Sequence, residues 1–180
     1  YLTGDPIVRW DVSFASWLHE HSNPALVTAF KLITIAGNAA FLALVVVAVG
    51  VVLLRRRARN DAVLLAAVAL GIEILNAGLK LAFHRPRPEL SFIHLDTYSF
   101  PSGHAAGATA IYGVLVFLAA RHASVVRRVA LVAAAVVLIA LVDFSRLYLG
   151  AHYLSDVLAG SALGASWLAL CLLVQHELRR

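Results

Sequence analysis

The chain has 180 residues, 61% of them hydrophobic and only 14% charged, with a mean hydropathy of +0.84 and a formal net charge of +5. That length holds one domain, residues 1–180, and that apolar content excludes an ordinary soluble domain in favour of an integral membrane protein. A single cysteine, Cys171, excludes an intrachain disulfide and reads as a core or lipid-facing residue.

In chain order, residues 1–23 form an outer connector. Within it Trp10, Phe14, Trp17, Leu18 and His21 follow helical spacing, which predicts an interfacial helix over a plain exposed connector. The apolar stretch from Pro24 to Leu54 is broken at Gly37-Asn38, giving a short helix and then a span over 38–54. At 1.5 Å per residue that span covers roughly 26 Å, just enough for a bilayer core. Further spans are predicted over 62–83, 105–120, 125–144 and 157–174, so the chain reads as an all-α, polytopic bundle of five transmembrane helices. Gly160-x-x-x-Gly164 in the last span predicts close helix packing inside the molecule.

Orientation follows from arginine. Arg55, Arg56, Arg57 and Arg59 fill one loop, Arg121, Arg127 and Arg128 another, and Arg179 and Arg180 end the chain. With alternating spans all three clusters fall on one face, which the positive-inside rule makes cytoplasmic. Residues 84–103 and 145–153 then face away from the cytoplasm. The same alternation places Tyr1 outside. An additional span before Tyr1 would return the native N-terminus to the inside, and such a span is expected. No methionine occurs, even at position 1, so a processed or trimmed chain is expected, and no signal peptide is visible.

The two outward segments carry reactive groups that are costly near lipid. Lys80 lies at the outer end of its span, Arg87 in the Arg-Pro-Arg-Pro turn, and Arg146 at the end of a later span. Arginine forks match two oxyanion oxygens at once and lysine adds a point charge, so together they suit a phosphoryl group; singly, each also suits a headgroup-seeking snorkel. Pro101-Ser102-Gly103-His104 precedes an apolar span. Ser102 is expected to cap that helix, with the Gly103 and His104 N–H groups forming an anion site and Gly103 allowing close approach. His152 and Asp156 are spaced i, i+4; if Ala151 onward is helical they share a face, and the carboxylate fixes the imidazole tautomer for attack on phosphorus. His104 is placed to protonate the leaving oxygen and then deprotonate water. A purely structural His–Asp pair is the plainer alternative.

These segments resemble the three-part signature of the type 2 phosphatidic acid phosphatase superfamily: Lys-x6-Arg-Pro, Pro-Ser-Gly-His and Ser-Arg-x5-His-x3-Asp. Lys80 to Arg87-Pro88 fits the first, residues 101–104 the second, and Ser145, Arg146, His152 and Asp156 the third. Arg85-Pro86 misses the first spacing, which makes Arg85 the weaker ligand. The resemblance implies His152 as nucleophile, Asp156 as its partner, His104 as acid and base, and Lys80, Arg87, Ser102, Gly103 and Arg146 as the phosphate cradle. It also implies six helices in the full protein, no cofactor and no metal. The implied partners are the bilayer and a lipid phosphate or pyrophosphate ester: a prenyl pyrophosphate, phosphatidic acid or phosphatidylglycerol phosphate.

A phosphotransferase on the same scaffold and a non-catalytic lipid-phosphate binder or transporter remain alternatives. A vanadate-dependent haloperoxidase shares the signature but is opposed by the spans. No nucleic-acid partner is expected, and oligomeric state is not legible. Glu73 and Asn76 lie inside a span, and an interhelical hydrogen bond is expected for Glu73. Asp143 is expected to pair with a loop cation. His94 and Asp96 have no diagnostic metal-ligand spacing.

Overall fold

The computed structural model describes residues 6–178 and residue 180. Residues 1–5 of the expected connector and Arg179 of the terminal arginine pair lie outside the described residues. The helices are α1 (Pro6–Glu20), α2 (Pro24–Ile33), α3 (Ala39–Arg55), α4 (Arg59–Phe83), α5 (Gly103–Ala120), α6 (Val125–Tyr148) and α7 (Leu154–Glu177), with a 3₁₀ turn at Thr34–Gly37 between α2 and α3. No strand occurs among the described residues.

Sequence punctuation sets these boundaries. Asn23 caps α2 by accepting from the Ala25 N–H at 2.8 Å, with Pro24 at the first helical position. Asn38 does the same for α3 through the Ala40 N–H at 2.9 Å. Those two caps, with the 3₁₀ turn between them, break what is otherwise one apolar run. The two halves meet at 43°. Among the described residues, helices α4, α5, α6 and α7 are each long and apolar enough to cross a membrane, and the bent α2–α3 pair adds a fifth if it is counted as one broken span.

Helix α5 is the axis of the bundle. Ala105, Ala106, Ala108, Ala110, Ile111 and Val114 are buried, and α5 touches α3, α4, α6 and α7. Lipid tails are as apolar as leucine, so small residues that admit close backbones hold such a bundle together. A methyl group added at Gly160 would lie 2.5 Å from the Ser102 carbonyl oxygen, and one at Gly164 2.5 Å from that of Ala106. The Gly160–Gly164 pair is thus the intramolecular seam between α7 and α5. Gly71 makes a similar seam between α4 and α7, where the Trp167 ring takes the space of a side chain and its Nε1 donates to the Val68 carbonyl at 3.2 Å.

The chain alternates direction through α4, α5, α6 and α7. Consequently the C-termini of α4 and α6 and the N-termini of α5 and α7 meet at one end. Arg55, Arg56, Arg57, Arg59, Arg121, Arg127 and Arg128 gather at the other. There the buried Asp61 carboxylate accepts from both guanidinium arms of Arg121, joining the start of α4 to the end of α5. The stretch expected as an interfacial helix is helical and forms α1. It buries Asp11 and Leu18 against α6 and α7 and leaves Trp10 and Trp17 exposed.

Candidate active site

His152 lies in the tight turn between α6 and α7, not in a helix. The expected shared helical face with Asp156 is therefore replaced by a different geometry. Asp156 stands in the first turn of α7 and accepts from the Tyr153 N–H at 2.9 Å, which curls the preceding turn back over the helix end. His152 Nδ1 is 3.7 Å from Asp156 Oδ2, longer than a hydrogen bond. The Ser99 hydroxyl lies beside both: it donates to Asp156 Oδ2 and stands 3.5 Å from His152 Nδ1. Ser99 and Asp156 are wholly buried. With Nδ1 on the carboxylate side, Nε2 lies 3.2 Å from Arg87 Nη1. Burial pushes the His152 imidazole down to about 4; Asp156 opposes the shift, and Arg146 and Arg87 reinforce it. At neutral pH the ring is uncharged, and its Nε2 lone pair points at the cationic space.

Three cations border that space. Lys80 Nζ donates to the Tyr98 carbonyl at 2.5 Å. Arg87 is fixed by carbonyls too, through Nε to Thr97 at 2.7 Å and Nη1 to Ala151 at 2.6 Å. Burial lowers the Arg87 pKa, and the Asp156 charge opposes that shift. Arg146 is 2% exposed; its Nη1 donates to Thr34 Oγ1 at 2.7 Å, and its buried Nε has no partner. None of the three is paired with a carboxylate among the described residues. His104, at the first turn of α5, is within electrostatic reach of Arg146, His152, Arg87 and Lys80.

Ser102 occupies the N-cap position of α5 without the expected cap bond, and its buried hydroxyl has no partner. The helix is held instead by backbone: the Ser102 N–H donates to the Asp156 carbonyl at 3.0 Å, and the Ala106 N–H to the Ser102 carbonyl at 3.0 Å. First-turn N–H groups of a helix have no intrahelical acceptor, so Gly103 and His104 add donors beside that hydroxyl. A side chain at Gly103 would meet Asn76 Oδ1 at 3.1 Å, and Asn76 is the buried polar residue under this turn.

The remaining polar residues fall elsewhere. Asp143 pairs with no cation among the described residues; it accepts from the Ser161 hydroxyl of α7 at 2.7 Å. Among the described residues Glu73 makes no interhelical hydrogen bond; it lies exposed on α4, its Oε1 near Gly107. His94 and Asp96 pair at 3.0 Å on the exposed loop, and no group of three His, Cys, Asp or Glu converges among the described residues.

Sequence reasoning missed four site residues. Ser99 and Thr34 carried no motif. Gly37 was seen only as a break, yet a methyl group there would sit 3.1 Å from His104 Cδ2, so the 3₁₀ turn packs directly on that histidine. Asp11 stands beside the aromatic stripe of α1 and belongs to no motif. It is 3% exposed and bonds Arg85 Nη2 at 2.8 Å. Arg85 in turn donates to Asp156 Oδ1 at 2.6 Å, whereas His152 lies nearer Oδ2.

A buried neutral imidazole, a second histidine and three cations without carboxylate partners among the described residues meet at one end of the helix bundle. The PAP2 superfamily model matches residues 61–180, and the chain belongs to that superfamily. It is 33% identical over 136 residues to phosphatidylglycerophosphatase B of Bacillus subtilis, spanning 73% of this chain and 66% of that protein. It is 38% identical over 103 residues to lipid A 1-phosphatase of Rhizobium johnstonii, spanning 51% of this chain and 38% of that protein. The crystal structure of a transmembrane PAP2 type phosphatidylglycerolphosphate phosphatase from Bacillus subtilis superposes with a TM-score of 0.91 at 27% identity, covering 99% of this chain and 90% of that one. The sequence match thus spans about two thirds of one curated relative and well under half of the other.

Proposed function

We propose that the protein is an integral membrane lipid phosphatase that hydrolyses a phosphate ester or pyrophosphate through a phosphohistidine. His152 Nε2 attacks phosphorus, and the bond to the leaving oxygen breaks as His104 protonates it. Water, deprotonated by His104, then displaces His152 and releases phosphate. Lys80, Arg87 and Arg146, with the Ser102 hydroxyl and the Gly103 and His104 N–H groups, hold the equatorial oxygens as their charge develops. Asp156 keeps the Nδ1 tautomer of His152. In this reading neither a metal nor a cofactor takes part, and the site faces away from the cytoplasm because the arginine clusters mark the opposite end.

The observation that carries this reading is the set of three cations without carboxylate partners around a neutral imidazole. Such buried positive charge calls for an anionic ligand. The site's place at the bundle rim supports a substrate anchored in the bilayer, and the named relatives support phosphatidylglycerol phosphate as the first to test. The test measures phosphate release from phosphatidylglycerol phosphate, phosphatidic acid and a prenyl pyrophosphate in detergent with a chelator, for wild type and His152→Ala. Chelator-resistant release lost in the variant is the expected result. Absence of release from every lipid would overturn the hydrolase reading in favour of phosphoryl transfer or binding.

A further inference from the structure

The carboxylate behind His152 is itself held by a second layer of charge that begins on α1. Arg85 forks between two acids: Nη1 reaches Asp156 Oδ1 at 2.6 Å and the Ser155 hydroxyl at 2.7 Å, while Nη2 reaches Asp11 Oδ2 at 2.8 Å. Its guanidinium also lies 4.5 Å from the centre of the Tyr153 ring. Asp11 closes the loop. Its Oδ1 accepts from the Ser155 N–H at 3.0 Å, so α1 supplies the anion for the N-terminus of α7, and its Oδ2 accepts from the Ser155 hydroxyl. No other residue of α1 bonds to this network among the described residues.

We propose that Asp11 and Arg85 are positioning residues whose alternating charges set how strongly Asp156 stabilises the His152 imidazolium, and that α1 is thereby a working part of the active site. The inference rests on the phosphatase reading given above. The physical reason is that Asp156 has four lone-pair directions, and Arg85, Ser99 and the Tyr153 N–H use three of them. Rotation of the carboxylate away from His152 would break all three at once. Arg85 also draws on the Asp156 charge, and Asp11 moderates Arg85. Carboxylates beside it outweigh burial and raise the Arg85 pKa, so the cation persists at every working pH.

The charge alternation gives a signature that loosened packing does not mimic. The other charges facing the His152–Asp156 dyad are Lys80 from α4, Arg87 from the α4–α5 loop, His104 from α5 and Arg146 from α6, with Glu89 beyond Tyr153. All of these stay in place when only the relay is altered. Arg85→Gln leaves the Asp156 charge uncompensated, which favours the imidazolium and moves the acid limb of kcat/KM to higher pH. Asp11→Asn frees the Arg85 charge to act on Asp156 and moves the limb to lower pH. Displacements of about one unit are expected, in opposite directions, with kcat down roughly tenfold and KM unchanged. Arg85→Lys keeps the charge and loses the fork, so it should hold the acid limb and still lose rate.

The experiment measures pH–rate profiles for these three variants in detergent, with melting temperatures taken alongside. The His152 titration is followed in parallel by NMR on 15N-histidine-labelled protein, its signal assigned with His152→Ala. Opposite displacements support the relay. Absent or same-sign displacements in Asp11→Asn and in whichever Arg85 variant folds overturn it. A wild type that releases no phosphate overturns the phosphatase reading alone, because the imidazole titration reads the relay without turnover.

Discussion

Arg146 and Thr34, 112 positions apart, are joined by a hydrogen bond of 2.7 Å from Nη1 to Oγ1. Thr34 opens the 3₁₀ turn that interrupts the first span, so the break in that helix delivers a hydroxyl to a cation of the site. Arg146 is buried and its Nε is unpartnered, which leaves Thr34 as the group that fixes where the guanidinium points.

Thr34→Val keeps the shape and removes the acceptor. A hydrogen bond to a charged group contributes about 1.5–3 kcal/mol. If half of that acts in holding the substrate's phosphate, kcat/KM falls roughly four- to twelvefold. Steady-state kinetics of phosphate release on the variant measures this, and a value within twofold of wild type sinks the assignment of Arg146 to the cradle.

Gly37→Ala is expected to disturb the same turn from the other side. The added methyl would meet Val142 Cγ1 at 2.5 Å and His104 Cδ2 at 3.1 Å. Overpacking of this kind costs about 1–3 kcal/mol. Because the contact is with His104, kcat should fall further than stability alone explains. A melting curve beside a turnover assay separates the two effects. Gly50, where an added methyl meets nothing within 4 Å, is the control position.

Ser99→Ala removes the hydroxyl that donates to Asp156 and stands 3.5 Å from His152 Nδ1. The carboxylate keeps Arg85 and the Tyr153 N–H but loses its brace on the histidine side. A drop in kcat of roughly tenfold with KM unchanged is expected, since the brace touches no substrate atom. A raised KM with normal kcat would instead put Ser99 in the binding cradle.

The pH dependence of the wild type has a definite sign. His152 is depressed from its ordinary 6.5 to about 4 by burial. On acidification the unfolded chain takes up this proton first. The contribution to stability is therefore full above 6.5 and is lost as the pH falls through about 4. Activity that needs the neutral ring falls in the same direction, near pH 4. Melting temperatures against pH for wild type and His152→Gln test this: the acid-side loss should be shallower in the variant.

Much of the architecture was legible because lipid imposes long apolar helices and the arginines mark one end. The spans over 62–83, 105–120, 125–144 and 157–174 correspond to α4, α5, α6 and α7, each extended by a few residues. The three signature segments were legible because they are contiguous in sequence and chemically improbable near lipid. The supporting groups were not. Ser99 lies in a loop with no periodicity, and Thr34 and Gly37 lie in a helix break that reads from sequence only as a break. Asp11 is one acid in an amphipathic helix, where a solvated face is the ordinary explanation. Each becomes visible only when a segment distant in sequence folds against it. The i, i+4 spacing of His152 and Asp156 likewise points to a helical pair, whereas the Tyr153 N–H bond to Asp156 makes Tyr153 the N-cap and starts the helix at Leu154, two residues beyond the histidine.

The meeting of four helix ends at the bundle rim has an energetic meaning for any lipid that comes there. Drawing a 16-carbon tail wholly into water would cost about 13 kcal/mol at roughly 0.8 kcal/mol per methylene. A site buried at mid-depth would spare the tail but require a charged phosphate to enter hydrocarbon. At the rim neither transfer is needed. A lipid bound there would keep its tail in the solvent it already occupies, so almost all of the attraction between phosphate and protein would remain available for the reaction.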